Sequence, residues 1–141
     1  MSGETMNSEN AIRIAAALIS RDDGHILLVR KRATESFMQP GGKIEAGEHP
    51  QAALRRELSE ELGIDVDLND ITYIGRYTAP AAHELGRLVD AEIFRVAIAR
   101  SVEPGAEIEE ILWLDPNAPG SVKLAPLTRD KVLPLCARPV G

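Results

Sequence analysis

Apolar residues fill most positions between Ile12 and Ser20, a run that suits a strand better than a helix. Arg21-Asp22-Asp23-Gly24 interrupts it with turn chemistry, and a second apolar run follows from His25 to Arg30. The two read as strands joined by a tight connection. Lys31 to Ser36 is polar and reads as a loop, and Pro40-Gly41-Gly42 then marks a sharp backbone feature. From Pro50 to Leu62 the period changes. Leu54, Leu58 and Leu62 recur every four residues and form one apolar stripe on a helix. Pro50 suits the first helical position, where its missing N–H costs nothing, and Gly63 suits the left-handed residue just past the end. Ile71 to Thr78 and Val89 to Ile98 read as further strands, separated by a loop from Pro80 to Gly86. Glu109 to Leu114 reads as another strand and carries the one tryptophan, Trp113. Leu127 to Leu133 reads as a short helix ended by Pro134. Strands around one strong helix, with a second helix late, predict an α/β fold with a mixed sheet packed between helices.

Length and composition add bounds. At 141 residues the chain is expected to form a single domain, residues 11–141, preceded by a polar, flexible tail at residues 1–10. Sixteen Lys+Arg against 22 Asp+Glu leave a net charge of -6. That balance argues against a nucleic-acid scaffold and against docking on an anionic membrane face, both of which call for clustered basic residues. A single cysteine, Cys136, cannot form an internal disulfide. No apolar run approaches the roughly 18 residues of a membrane span, and the first ten residues lack an apolar signal core. A cytoplasmic location is the resulting expectation.

The predicted helix carries the chemistry. At about 100° per residue, Glu57, Glu60 and Glu61 share an arc of roughly 100° beside the leucine stripe. Like charges at such spacing each destabilise a helix by about 0.2–0.5 kcal/mol. An ordinary solvated acidic face usually mixes signs. Here only Glu60 has a basic residue, Arg56, at helical contact spacing. A divalent cation would turn the repulsion into attraction, and Mg²⁺ prefers oxygen ligands such as these. With no His/Cys constellation in the chain, zinc is disfavoured.

The spacing around these acids is more specific than any part of it. Gly42 is followed after five residues by Glu48, after seven more by Arg56-Glu57-Leu58, then by Glu60-Glu61 and Gly63-Ile64. This closely resembles the signature of the Nudix hydrolase family, Gly-x5-Glu-x7-Arg-Glu-U-x-Glu-Glu-x-Gly-U, with U a bulky aliphatic. All seven fixed positions match over 23 residues, Gly42 to Ile64, and the strand order around them is also similar to the family domain. The resemblance implies an α/β/α sandwich and a Mg²⁺- or Mn²⁺-dependent pyrophosphohydrolase acting on a nucleoside di- or triphosphate linked to another moiety. It implies that Glu57, Glu60 and Glu61 are catalytic and hold the metal, with the Gly41 carbonyl as a further ligand. Glu48 and Arg56 would pair to brace the loop against the helix, and Gly42 and Gly63 would shape it. Family members often draw another carboxylate from a later loop; Glu107 is the candidate, with Glu109 and Glu110 as competitors. Glu57 is the first choice of general base. Dimers are common among relatives, so a homodimer is a further expectation.

Substrate choice is less legible. Lys43 could reach a substrate phosphate. Gln39 stands on the substrate side just before Pro-Gly-Gly, where some nucleotide-sanitising relatives place an apolar side chain. The aromatic candidates for stacking on a base are Phe37, Tyr73, Tyr77 and Phe94, and Phe94 reads better as core. Pro80, 16 residues beyond Ile64, resembles a feature of the branch that cleaves ADP-ribose and nucleotide sugars. The segment Ala79 to Gly86 is a candidate substrate-facing loop. Two other classes stay open: a non-catalytic nucleotide-binding Nudix module, and a hydrolase acting on RNA ends. The first would be expected to lose acids from the motif. The second would favour a basic groove, of which only Arg30-Lys31-Arg32 hints.

Overall fold

The computed structural model describes residues 11–84, 86–98 and 101–136. The tail expected at residues 1–10 lies outside them. The elements run β1 (Ile12–Leu18), β2 (Ile26–Lys31), β3 (Gly41–Lys43), α1 (Pro50–Leu62), β4 (Ile71–Pro80), β5 (Leu88–Val96), β6 (Ile108–Leu114) and α2 (Leu133–Cys136). A 3-10 turn, Leu68–Asp70, leads into β4, and a π-helical turn, Thr128–Val132, leads into α2.

β1 is the centre of the molecule. It pairs parallel to β5 and antiparallel to β3, giving a four-stranded mixed sheet in the order β3-β1-β5-β4. β2 and β6 form a separate antiparallel pair. Along β1 and just beyond it, Ala15, Ala17 and Ile19 face one core cluster with Leu54, Leu58 and Leu62 of α1. Ala16 and Leu18 face a second cluster with Leu127, Val132 and Leu133 from the C-terminal helical segment. Both faces of the strand are covered, which is why its sequence is a continuous apolar run rather than an alternating one. The result is the expected sheet between helices, an α/β Nudix-like sandwich.

Two details differ from the sequence reading. The strands flanking Arg21–Gly24 do not stay together as a hairpin. They share bonds near the turn, from Arg21 N–H to the His25 carbonyl and from Leu27 N–H to the Ile19 carbonyl, and then separate into different sheets. Pro134 does not end the last helix; it lies within the continuous helical segment that runs through the π-helical turn Thr128–Val132 into α2.

α1 is bounded as expected. Pro50 opens it, and Gly63 closes it at φ +68°, with its N–H bonded to the Ser59 carbonyl and the Ile64 N–H reaching the Leu58 carbonyl.

Candidate active site

Gly41-Gly42 is a strand rather than a turn, and that placement organises the site. β3 is an edge strand. Its ladder with β1 uses the Pro40 carbonyl, bonded by the Ala17 N–H, and the Ile44 N–H, bonded to the Arg13 carbonyl. Antiparallel alternation therefore turns the backbone groups of Gly41 and Lys43 away from the sheet. Both are used by α1. The Gly41 N–H donates to Glu61 Oε1 at 3.1 Å, and the Lys43 carbonyl accepts from Arg56 Nη2 at 3.1 Å. Glycine is required at Gly41, whereas at Gly42 a side chain would displace the Glu57 carboxylate. A methyl group at Gly41, where φ is +146°, would strike the backbone of Ala15 and Ala16, and one at Gly42 would strike the Glu57 carboxylate.

Arg56 is the hub of the loop–helix junction. Its Nε and Nη2 donate to the two carboxylate oxygens of Glu48, each at 3.0 Å. Glu48 in turn accepts the Glu45 N–H at 2.9 Å. These bonds hold the Glu48 carboxyl below its ordinary range. Arg56 Nη1 donates to Glu57 Oε2 at 2.8 Å and lies 3.8 Å from Glu60. Helical spacing alone gave Glu57 no basic partner; Arg56 reaches it from the adjacent position by folding back along the helix surface.

The three helix carboxylates differ sharply in environment. Glu61 is 5% exposed, whereas the Glu60 side chain is 63% exposed. Burial pushes the Glu61 carboxyl up to about 7, against the pull of Lys31 and the Gly41 N–H. Burial also raises Glu57, against the pull of Arg56. Glu60 also raises Glu57, and Glu57 raises Glu61, as neighbouring like charges do. Lys31 comes from β2, not from a loop, and brings its Nζ to 3.6 Å from Glu61 Oε2.

The donors are all oxygen, one of them a buried carboxylate (Glu61) and one a half-buried carboxylate (Glu57) beside an edge strand. That chemistry suits a hard divalent cation. Among the described residues, no three His, Cys, Asp or Glu side chains already form one ligating group. Glu57 and Glu61 are brought to the glycine strand, while Glu60 faces solvent. Glu107 is exposed, on a loop fastened to the end of α1: the Glu103 N–H donates to the Leu62 carbonyl and the Gly105 N–H to the Glu61 carbonyl.

A pocket of about 180 Å³ adjoins these groups. Ile12, Ile14, Val89 and Leu127 supply apolar wall. Gly41, Gly42, Lys31 and Lys43 line it on the carboxylate side, and Pro80–Glu84 line it on the other. Gln39 and Thr128 also line it. The Thr128 hydroxyl donates to Gln39 Oε1 at 2.7 Å, and Gln39 Nε2 is buried without a partner. No motif or spacing singles out Thr128, which lies 89 residues from Gln39. None of the four aromatic candidates lines the pocket; Phe37 and Phe94 are buried in the two cores.

A family model described as NUDIX domain matches residues 11–136. The chain belongs to the Nudix family. Among its Nudix relatives is an 8-oxo-dGTP diphosphatase of Haemophilus influenzae, 46% identical over 66 residues. That alignment covers 44% of this chain and 48% of the relative, so it spans about half of the relative's length. A CTP pyrophosphohydrolase of Escherichia coli is 32% identical over 120 residues, covering 82% of this chain and 84% of that one. The fold is also that of a MutT NUDIX hydrolase from Burkholderia pseudomallei, with a TM-score of 0.69 and 23% identity over 89% of this chain and 95% of the other.

Proposed function

We propose that this Nudix chain is a pyrophosphohydrolase that cleaves a phosphoric anhydride bond in a nucleoside triphosphate or a nucleoside diphosphate linked to another group, using Mg²⁺ or Mn²⁺. One observation carries the reading: a buried carboxylate, Glu61, and a half-buried one, Glu57, flank a glycine strand that also lines an apolar pocket. A phosphate chain lying along Gly41–Lys43 would place its organic end in the pocket and its anhydride beside the acids. The names of the relatives, 8-oxo-dGTP diphosphatase and CTP pyrophosphohydrolase, agree with a nucleotide substrate.

In this reading Glu57, Glu60, Glu61 and the Gly41 carbonyl hold the cation, with Glu107 as a further ligand from its loop. Bound there, the cation would neutralise phosphate charge and acidify water. Glu57 accepts a proton from the attacking water as oxygen bonds to phosphorus, and the departing phosphate takes the electrons of the broken P–O bond. Burial helps, because a carboxylate raised toward neutral is a stronger base. Arg56, tied to Glu48, holds Glu57 in position. Lys43 meets phosphate and Gln39 meets the organic group. The RNA-end alternative is not favoured. Arg30, Lys31 and Arg32 each lie within 4.0 Å of a carboxylate, of Glu110, Glu61 and Glu109 respectively, so the small basic patch is neutralised.

A hydrolysis panel with Mg²⁺ tests the proposal. It comprises canonical and oxidised nucleoside triphosphates, ADP-ribose, nucleotide sugars, dinucleoside polyphosphates and 5′-triphosphorylated RNA. The expected result is turnover of a nucleotide, abolished by chelation and restored by Mg²⁺. No turnover from folded, cation-binding protein would leave a nucleotide-binding module instead.

A further inference from the structure

Lys31 occupies two sites at once. Its ammonium stands 3.6 Å from the buried Glu61 carboxylate, and its side chain lines the pocket beside Gly41 and Lys43. It also acts on Glu57 through space. On the side of Glu61 away from Lys31, the other Glu61 oxygen is held by the Gly41 N–H. Any cation that shares Glu61 therefore arrives next to the Lys31 ammonium.

We propose that Lys31 is a positioning residue that couples cation binding to phosphate binding, by exchanging its contact with Glu61 for one with a substrate phosphate. The proposal rests on the metal-dependent reading above. Two positive charges on one buried carboxylate repel, so Lys31 opposes the cation when no phosphate is present. A phosphoanhydride entering along Gly41–Lys43 brings negative charge to the mouth of the pocket, within the sweep of the same side chain. Lys31 is one-third exposed and sits at the last position of β2, so its four-carbon stem can turn without disturbing the core. Once it turns, the opposition becomes attraction, and cation and phosphate each tighten the other by the same factor.

Lys43 differs. It is exposed and has no contact with the helix carboxylates; only its carbonyl is engaged, by Arg56. It can bind phosphate but carries no penalty against the cation.

Calorimetric titration of the intact protein with Mn²⁺, with and without pyrophosphate, tests the exchange. In the wild type pyrophosphate should tighten Mn²⁺ binding by about tenfold or more. In Lys31→Met, Mn²⁺ alone should bind about five- to fiftyfold tighter than in the wild type, and the enhancement by pyrophosphate should shrink by a similar factor. Lys31→Arg should restore wild-type coupling, and Lys43→Met should weaken pyrophosphate without tightening Mn²⁺. Equal Mn²⁺ affinity in the wild type and Lys31→Met would overturn the proposal and leave the metal site standing. An absence of Mn²⁺ binding in the wild type and in both Lys31 variants would overturn the proposal and the metal-dependent reading together.

Discussion

Replacing Glu61 with glutamine should stabilise this protein at and above neutral pH. The glutamine keeps an oxygen for the Gly41 N–H, removes the charge and places an NH2 group where the other oxygen faced Lys31. Burial pushes the Glu61 carboxyl up to about 7 from its ordinary 4.5. The sign follows from linkage. An acid raised on folding contributes its stability in full below about 4.5, and that contribution is lost as pH rises through about 7. With about 1.4 kcal/mol for each tenfold change in ionisation, the cost of the buried charge is on the order of 3 kcal/mol once ionisation is complete. Lys31 loses a partner in the variant, but its side chain is one-third exposed and reaches water. A net gain of about 2 kcal/mol corresponds to a rise in Tm on the order of 5–10 °C at pH 8. The assay is urea unfolding of both proteins in EDTA between pH 4.5 and 8. The two stabilities should converge near pH 4.5 and separate steadily toward neutral pH, with the variant higher. A difference that did not change with pH, or a wild type more stable at pH 8, would refute the reasoning that burial strains this carboxylate. Divalent cation should then narrow the gap by stabilising the wild type alone.

Glu57→Gln is expected to lower kcat by about 10²- to 10⁴-fold with an unchanged circular dichroism spectrum; turnover near wild type would remove Glu57 from the base role. Gly42→Ala drives a methyl group into the Glu57 carboxylate, and should displace it, costing most of the activity but less than about 1 kcal/mol in denaturant unfolding. Gly63→Ala must hold a side chain at φ +68°, which should cost about 1–2 kcal/mol in thermal unfolding while leaving KM unaltered.

The legible parts of this chain were the local ones. Pro50 and Gly63 bound α1 because helix entry and exit depend on the conformations of single residues, and the Leu54–Leu58–Leu62 stripe is buried because its period is the helix's own. Phe94 lies in the core as its apolar neighbours implied. What failed depended on distant partners. Nothing around Arg21–Gly24 says that β1 will leave β2 for β5, because that choice is made by residues 77 positions further along the chain. Pro40-Gly41-Gly42 reads from sequence only as a sharp backbone feature; in the fold the missing side chains make room for Ala15 and for Glu57. The acid cluster is visible in the sequence, but its division into a buried Glu61, a half-buried Glu57 and an exposed Glu60 is not, since only the position of β3 separates them. Lys31 was read as loop and Thr128 was not singled out, although both line the pocket.

The edge position of β3 has a consequence for aggregation. A strand at the rim of a sheet offers free N–H and carbonyl groups to any passing chain. Here the Gly41 N–H is taken by Glu61 and the Lys43 carbonyl by Arg56. The helix that carries the acids is thus also the guard on an exposed hydrogen-bonding edge. Substitutions that truncate Glu61 or Arg56 remove that guard, so such variants should be prone to strand-to-strand self-association, whereas Glu61→Gln, which keeps the acceptor, should stay dispersed.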